Sequence, residues 1–487
     1  MTIKNSFDYT NTNLRKTWTT PLSGSYQYTY DKEKKLKTIT FPSGKIISNT
    51  YTHGLLTTTA TPEGTISYGY GCGDRLSDMT KGSEKVSFSY DGTLLKTDAR
   101  TGTINQTISY IYNNDFKLSS ITYAGATQGF GYDNDGLLTT AGTFTITRSA
   151  QNGLPESVSN GSLKLTRIFS GYGEMDENTY AVNNTPLYDW TVTRDNSGRI
   201  VQKIDNMQGA AITWDYAYDT LGRLTEVKQN NVVVESYTYD ADGNRLTESN
   251  DLRGVNKSYS YSTEDHIITA GTDTYQFDTD GFLTSKTTSA GTTTYNYSSR
   301  GELLSATLPD GTAITYDHDP MGRRIAKRVN GTVTEKYLWQ SLTRLLAIYD
   351  ASNNLVTRFT YADVRMPVSM VKGGVTYYLF YDQIGSLRAV VDSSGAVVKE
   401  LLYDSFGSII YEDNQSLSVP FGFAGGLHDR DTGLVRFGFR DYDPSIGRWT
   451  AKEPIDFDGG GANLFGYVGN DPVDYIDPHG LTSLFIR

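Results

Sequence analysis

Several features that would tie this chain to a familiar class are missing from it. It has one cysteine, Cys72, flanked by Gly71 and Gly73 with no base nearby, so no intrachain disulfide forms and the thiol reads as inert. No run of about 18 apolar residues occurs, which excludes a transmembrane helix. The first residues carry no apolar core of a secretory signal, so any export is expected to use a signal-peptide-independent route from a bacterial cytoplasm. The five histidines, His53, His266, His318, His428 and His479, are too scattered to make a metal-ligand pattern. A phosphate-binding GxxxxGK[ST] loop is absent. No metal or cofactor is expected. The formal net charge of −11 argues against nucleic acid as a partner, because binding to it needs a positive surface. One basic cluster, Lys32, Lys34, Lys35 and Lys37, is diluted by Asp31 and Glu33 and reads as a solvated strand edge.

What is abundant is glycine (48) and tyrosine (36), with many threonines and serines. Tyr, Thr, Val and Ile fit pleated surfaces, and Gly with Asn and Asp supplies turns, so the chain is expected to be all-β. One unit recurs at a spacing of roughly 20 residues. Its clearest copies are Tyr216-Ala217-Tyr218-Asp219 with Gly222-Arg223-Leu224, and Tyr237-Thr238-Tyr239-Asp240 with Gly243-Asn244-Arg245-Leu246. Weaker copies lie at Tyr28–Asp31, Tyr132-Asp133, Phe277-Asp278, Tyr295–Tyr297 and Tyr316-Asp317. Residues 183–215 hold no good copy. In each unit both tyrosines face one side of a strand, Asp and Gly form the turn, and Leu opens the return strand. Each unit is thus a β-hairpin. Hairpins are marginal alone and gain stability by stacking side by side, and twist curls the resulting sheet into a spiral or barrel. A Tyr-Asp pair repeated this often is structural, not catalytic; a sugar-stacking tyrosine surface, and so carbohydrate contact, stays open. From about 337 the text becomes more apolar and less regular, which places a soft boundary near 335.

The stretch 436–481 does not repeat. It is dense in Gly, aromatic residues and Asp-Pro, and contains Glu453-Pro454-Ile455-Asp456 and Asp477-Pro478-His479-Gly480-Leu481. With Tyr381–Arg388, Tyr403–Gly407 and the YxYDxxGRL units, it resembles the Rhs/YD-repeat proteins: polymorphic toxins, the C components of insecticidal Tc toxins and, more distantly, the teneurin shell. The resemblance implies a spiral of hairpins forming a large hollow barrel or cocoon, closed by an inward-spiralling C-terminal plug. It implies a YD-repeat shell over 1–335, a core-associated domain over 336–481, and a remnant of a variable toxin segment at 482–487. It also implies an aspartic autoprotease that cuts after the DPxGL motif, here between Leu481 and Thr482. The partners it implies are the chain's own C-terminal toxin segment and a secretion-apparatus or N-terminal plug component. The family's upstream acid lies in a DPIG-like motif, where this chain has Glu453 for the Asp and Asp456 for the Gly. The family's arginine maps onto Arg440.

Read as chemistry, Glu453 and Asp477 supply the paired carboxylates that peptide hydrolysis needs, one protonated and one ionised. Arg440 holds one of them ionised or stabilises an oxyanion. Three alternatives remain at this stage: attack by the Thr482 hydroxyl in an N→O acyl shift, a purely structural set of turns and salt bridges, and a non-catalytic extracellular YD-repeat scaffold or adhesin. The acidic turns Asp317-His318-Asp319 and Asp429-Arg430-Asp431 lack an EF-hand-like loop and read as solvated turns.

Overall fold

The computed structural model describes residues 5–22, 24–362 and 365–486. Forty strands, from Ser6–Tyr9 to Ile409–Glu412, form one antiparallel sheet in which each strand pairs with the next. Among the described residues the helical segments are three single 3₁₀ turns, Phe423–Gly425, Asp456–Gly459 and Val468–Asn470, and no helix there is long and apolar enough to cross a membrane.

The repeat motif explains how one hairpin locks the next. In the turn after Tyr218, Asp219 Oδ1 accepts from the Leu221 and Arg223 amides at 2.9 and 3.0 Å, and Gly222 takes φ +81°. That conformation is open to glycine at little cost. The return strand carries a bulge: Ala217 pairs with Glu226 but Tyr218 with Leu224. The Leu224 carbonyl then accepts from the Tyr239 hydroxyl of the following unit at 2.7 Å, while the Arg223 guanidinium lies 4.9 Å from the centre of the Tyr239 ring. The same hydroxyl contact recurs from Tyr30 to Arg15, Tyr51 to Leu36, Tyr90 to Leu76 and Tyr261 to Arg245. In these units the second tyrosine satisfies a carbonyl of the preceding hairpin, and at Tyr51, Tyr90 and Tyr239 the basic residue before Leu stacks on it. Tyr237 is buried and Thr238 exposed, as the alternation predicts.

Two sequence readings change. Residues 183–215 do contain a full unit: Asp195 Oδ1 accepts from the Ser197 and Arg199 amides, Gly198 takes φ +85°, and Arg199 lies over Tyr218. It escapes notice because Arg194 stands where the other units have tyrosine. The lysine cluster is not a strand edge. Lys32, Lys34 and Lys35 lie in a hairpin turn, where Lys35 plays the stacking role over Tyr51, and Lys37 lies in strand Leu36–Thr40, which is paired on both sides. The division expected at 335/336 falls inside strand Thr332–Trp339, and sheet pairing runs on unbroken to Glu412.

Contacts between distant parts of the ribbon show it winding inward. The Tyr26 hydroxyl bonds the Asp280 carbonyl 254 residues on, and Tyr123 reaches Phe359 at a separation of 236. Farther along, Trp190 meets Tyr381 at 191, Asp205 pairs with Arg388 at 183, and Asn250 meets Asp404 at 154. A turn begun farther along the ribbon therefore takes fewer residues. After Glu412 the chain leaves the sheet and fills the inside. Strands Leu427–His428, Val435–Phe437, Arg440–Asp443 and Arg448–Trp449 make a small sheet around Phe423, Phe437, Tyr442, Trp449 and Tyr467. Buried ion pairs tie it to the wall, Arg324 to Asp441 at 2.9 Å and Lys327 to Asp429 at 2.8 Å, with the half-buried Lys286 reaching the buried Asp443 at 2.8 Å. Such pairs lose much of their attraction to desolvation, so their main effect here is to fix how plug and wall register.

Candidate functional site

Asp477-Pro478-His479-Gly480-Leu481 folds as a turn related to that of the wall. Asp477 Oδ1 accepts from the Leu481 amide at 3.0 Å, and Gly480 takes φ +65°. Here, however, the turn is packed against strand Arg440–Asp443. The Phe439 amide donates to the His479 carbonyl at 2.9 Å, and a Cβ on Gly480 would lie 2.5 Å from the Phe437 carbonyl oxygen. Backbone meets backbone so closely that no side chain fits. The approach delivers Arg440, whose Nε donates to the Gly480 carbonyl at 2.7 Å, with the guanidinium 4.1 Å from the centre of the Trp449 ring.

The three residues expected to act together do meet. Arg440 Nη2 lies 2.6 Å from Glu453 Oε2 and 3.2 Å from Asp477 Oδ2, and all three side chains are buried. Glu453 is held by its own amide, which donates to the Leu464 carbonyl at 3.0 Å; the same carbonyl accepts from Arg440 Nη1 at 3.3 Å. The expected scissile bond lies alongside. A Cβ on Gly459 would sit 2.9 Å from the Leu481 carbonyl oxygen and 3.0 Å from Glu453 Cδ, so the carboxyl and the carbonyl share the space that this glycine leaves open. Thr482 is exposed, and Thr482, Ser483, Leu481, Glu453, Asp477 and Arg440 all line one cavity of about 610 Å³. The tail then turns back, with Leu484–Phe485 pairing with Tyr475–Ile476.

The electrostatics separate the two acids. One guanidinium faces two buried carboxylates, so full ionisation would leave an uncompensated negative charge. Burial pushes Glu453 up to about 7 against the pull of Arg440, and the nearby Asp477 charge adds to the rise. Its Oε1 has no hydrogen-bond partner, which also favours a proton there. Burial raises Asp477 as well, but Arg440 and the Leu481 and Thr482 amides oppose the shift. Asp477 is therefore the acid that ionises first. Burial also lowers Arg440, with both carboxylates working against this.

The other sequence candidates find ordinary partners. Asp317 pairs with Arg328, Asp319 with Arg323, and Asp429 and Asp431 with Lys327. No cluster of three or more metal-ligating residues occurs among the described residues, and Cys72 is exposed. Sequence reasoning missed Gly459, although its place in the Gly459-Gly460-Gly461 run marks a close approach. It also missed the Leu464 carbonyl, which leaves no sequence signal.

The chain is similar to known proteins over nearly its whole length. The family described as the teneurin YD-shell matches residues 3–472. Teneurin-1 of Gallus gallus is 30% identical over 341 residues, covering 66% of this chain and 12% of its own, and Teneurin-3 of Danio rerio is 28% identical over 337 residues with the same coverage. The tRNA3(Ser)-specific nuclease WapA of Bacillus spizizenii is 28% identical over 286 residues, 54% of this chain and 12% of its own. The chain thus spans about an eighth of the length of these relatives. Among solved structures, the TcdB2-TccC3-TEV complex superposes with a TM-score of 0.81 at 18% identity, over 98% of this chain and 28% of that one. The Photorhabdus luminescens Tc holotoxin pore gives the same TM-score and identity over 99% and 28%. This inward-wound ribbon with its buried C-terminal plug belongs to the teneurin YD-shell family.

Proposed function

We propose that the chain is the encapsulating shell of an Rhs-type polymorphic toxin, which encloses a C-terminal effector segment and cuts its own backbone once, between Leu481 and Thr482. The observation that carries this reading is the buried set of Arg440, Glu453 and Asp477 with the Leu481 carbonyl beside Glu453. The relative WapA, named for a nuclease activity, carries its similar region as 12% of a longer chain, which fits a shell and a separate effector in one polypeptide.

The chemistry follows from the two acids. Asp477, kept anionic by Arg440, takes a proton from a water entering from the cavity. The water oxygen bonds to the Leu481 carbonyl carbon while protonated Glu453 donates to the carbonyl oxygen. The tetrahedral species collapses, the Leu481–Thr482 bond breaks, and the proton on Asp477 passes to the Thr482 nitrogen, whose amide already lies at that carboxylate. The carbonyl oxygen returns its proton to Glu453. The products are a Leu481 carboxylic acid and a free amine on Thr482.

Intact mass measured under denaturing conditions tests this reading. The wild-type chain is expected to lose the peptide starting at Thr482, and Asp477→Ala to stay whole. A wild-type chain that remains intact on long incubation leaves the passive scaffold as the better reading. Unimpaired cutting in Thr482→Ala excludes the acyl shift.

A further inference from the structure

The segment that carries Glu453 is docked on the first hairpins of the wall, on both sides of the carboxylate. One residue before it, Lys452 Nζ lies 3.7 Å from the centre of the Tyr26 ring and 4.8 Å from that of Trp18. Three residues after it, Asp456 adopts φ +51°, a left-handed conformation that Asp tolerates better than most residues. From there Asp456 Oδ2 accepts from Arg15 Nη1 at 2.8 Å and from the Tyr28 hydroxyl at 3.3 Å, while Oδ1 lies 3.4 Å from Lys452 Nζ. Phe457 follows, edge-on to Trp18 at 5.3 Å and to Phe7 at 5.6 Å. Arg15 and Asp456 are 441 residues apart in the chain. Where the chain resembles its family, a glycine would stand at 456, so this side-chain tie belongs to this sequence.

We infer that hairpin 15–30 is a positioning element for Glu453: Arg15 and Tyr28, acting through Asp456, hold the Glu453 carboxyl at the Leu481 carbonyl, so self-cutting waits until the first turn of the wall has closed on the C-terminal segment. The inference rests on the proposed self-cutting role of Glu453. Its physical basis is the steep dependence of such reactions on placement, where a misplacement of about 1 Å costs on the order of a hundredfold in rate. Without the hairpin, Lys452 loses its aromatic partners Trp18 and Tyr26 before Glu453 and Asp456 loses the Arg15 and Tyr28 donors after it, while the backbone bonds of Lys452 to Gly281 and of Glu453 to Leu464 remain. The order of events then follows from the fold: an incompletely wound shell keeps its chain whole, and a closed shell cuts it.

Charge supplies a signature that simple loosening lacks. The charged groups facing Glu453 are Arg440 and Asp477 on one side and Asp456 on its own loop, with Arg15 and Lys452 behind Asp456. The Asp456 charge raises Glu453. Cutting should be followed in full-length chain made by cell-free synthesis, shifted to buffers of different pH and read by intact mass over time. Arg15→Ala and Asp456→Gly are both expected to slow cutting on the order of ten- to a hundredfold, and Arg15→Lys to recover part of the loss. The pH above which cutting falls off should move down in Asp456→Gly, which removes a negative charge, and up in Arg15→Ala, which leaves that charge uncompensated. Wild-type rates in both variants overturn the inference, as do equal shifts of the pH limb in both. If the wild-type chain is never cut, the proposed function falls and takes this inference with it. If the wild type is cut, Asp477→Ala is not, and Arg15→Ala cuts normally, the positioning role alone is wrong.

Discussion

The turn at 219–223 and the turn at 477–481 share an aspartate-to-amide bond and a left-handed glycine, in opposite surroundings. In both, an aspartate Oδ1 accepts the amide four residues on, at 3.0 Å, and a glycine one residue before that amide takes a positive φ. In the wall turn, Asp219 Oδ2 is bonded by Arg223 of the same turn at 2.6 Å, and a Cβ on Gly222 would meet nothing within 4 Å. At the C-terminus no arginine follows the glycine. Asp477 Oδ2 instead meets Arg440 from 37 residues upstream, and Gly480 is pressed onto a backbone strand. Burial and the source of the arginine change the carboxylate's setting: the aspartate that is neutralised locally in the wall must share a guanidinium with Glu453 in the plug. Under the proposed function, a turn built on the repeat's aspartate and glycine has been recruited to a site by what is packed against it.

The sharpest way to separate the two turns is to add one methyl group to each. Gly222→Ala meets no steric obstacle and incurs only the left-handed strain of an alanine, about 1–2 kcal/mol, with cutting unchanged. Gly480→Ala carries the same strain and also collides with the Phe437 carbonyl, so the turn must leave the strand and take Asp477 and the Leu481 carbonyl out of place. Loss of cutting by intact mass is expected for Gly480→Ala alone. Equal behaviour of the two variants would erase the distinction drawn here.

The two acids make the next test, with pH as the probe. The proposed cutting needs Glu453 protonated and Asp477 ionised, so its rate should fall roughly tenfold per pH unit well above about 7, where Glu453 loses its proton. Stability carries the same sign. Glu453 binds its proton more tightly folded than unfolded, so its contribution is full below the ordinary glutamate range and is lost as pH rises from there to about 7. Glu453→Gln should remove this slope from a denaturant-unfolding series, together with the cutting. Asp219, where burial pushes the carboxyl up but the Arg223 guanidinium and the Arg223 and Leu221 amides together hold it below the usual carboxylate range, acts in the other direction, losing stability as pH falls.

The wall's turns, its all-β class and the buried side of its strands were legible in the sequence, because a hairpin's determinants lie within about 20 residues of each other. What joins one hairpin to the next was not. The Tyr239 hydroxyl on the Leu224 carbonyl and the Arg223 stack require knowing that return strands bulge, and the unit at 195–200 was hidden by one arginine at a tyrosine position. Arg440, Glu453 and Asp477 were legible only through their motifs. Their shared guanidinium, the glycine at 459 and the tie from Arg15 to Asp456 depend on how an inward spiral brings its ends together, and no local pattern encodes that.

The smallest expected effect tests whether the wall's repeats are held as described. Tyr239→Phe removes the hydroxyl from the Leu224 carbonyl but keeps the ring under Arg223. The lost hydrogen bond should cost about 0.5–1.5 kcal/mol, read as a lower denaturant midpoint with an unchanged slope. Self-cutting should not change, because the contact lies between two hairpins of the wall. Tyr28→Phe makes the paired case: its hydroxyl bonds Asp456, so the same deletion in the first hairpins should slow cutting. The same substitution thus separates a hydroxyl that joins two hairpins of the wall, on the second tyrosine of its unit, from one that reaches the C-terminal segment, on the first tyrosine of its unit.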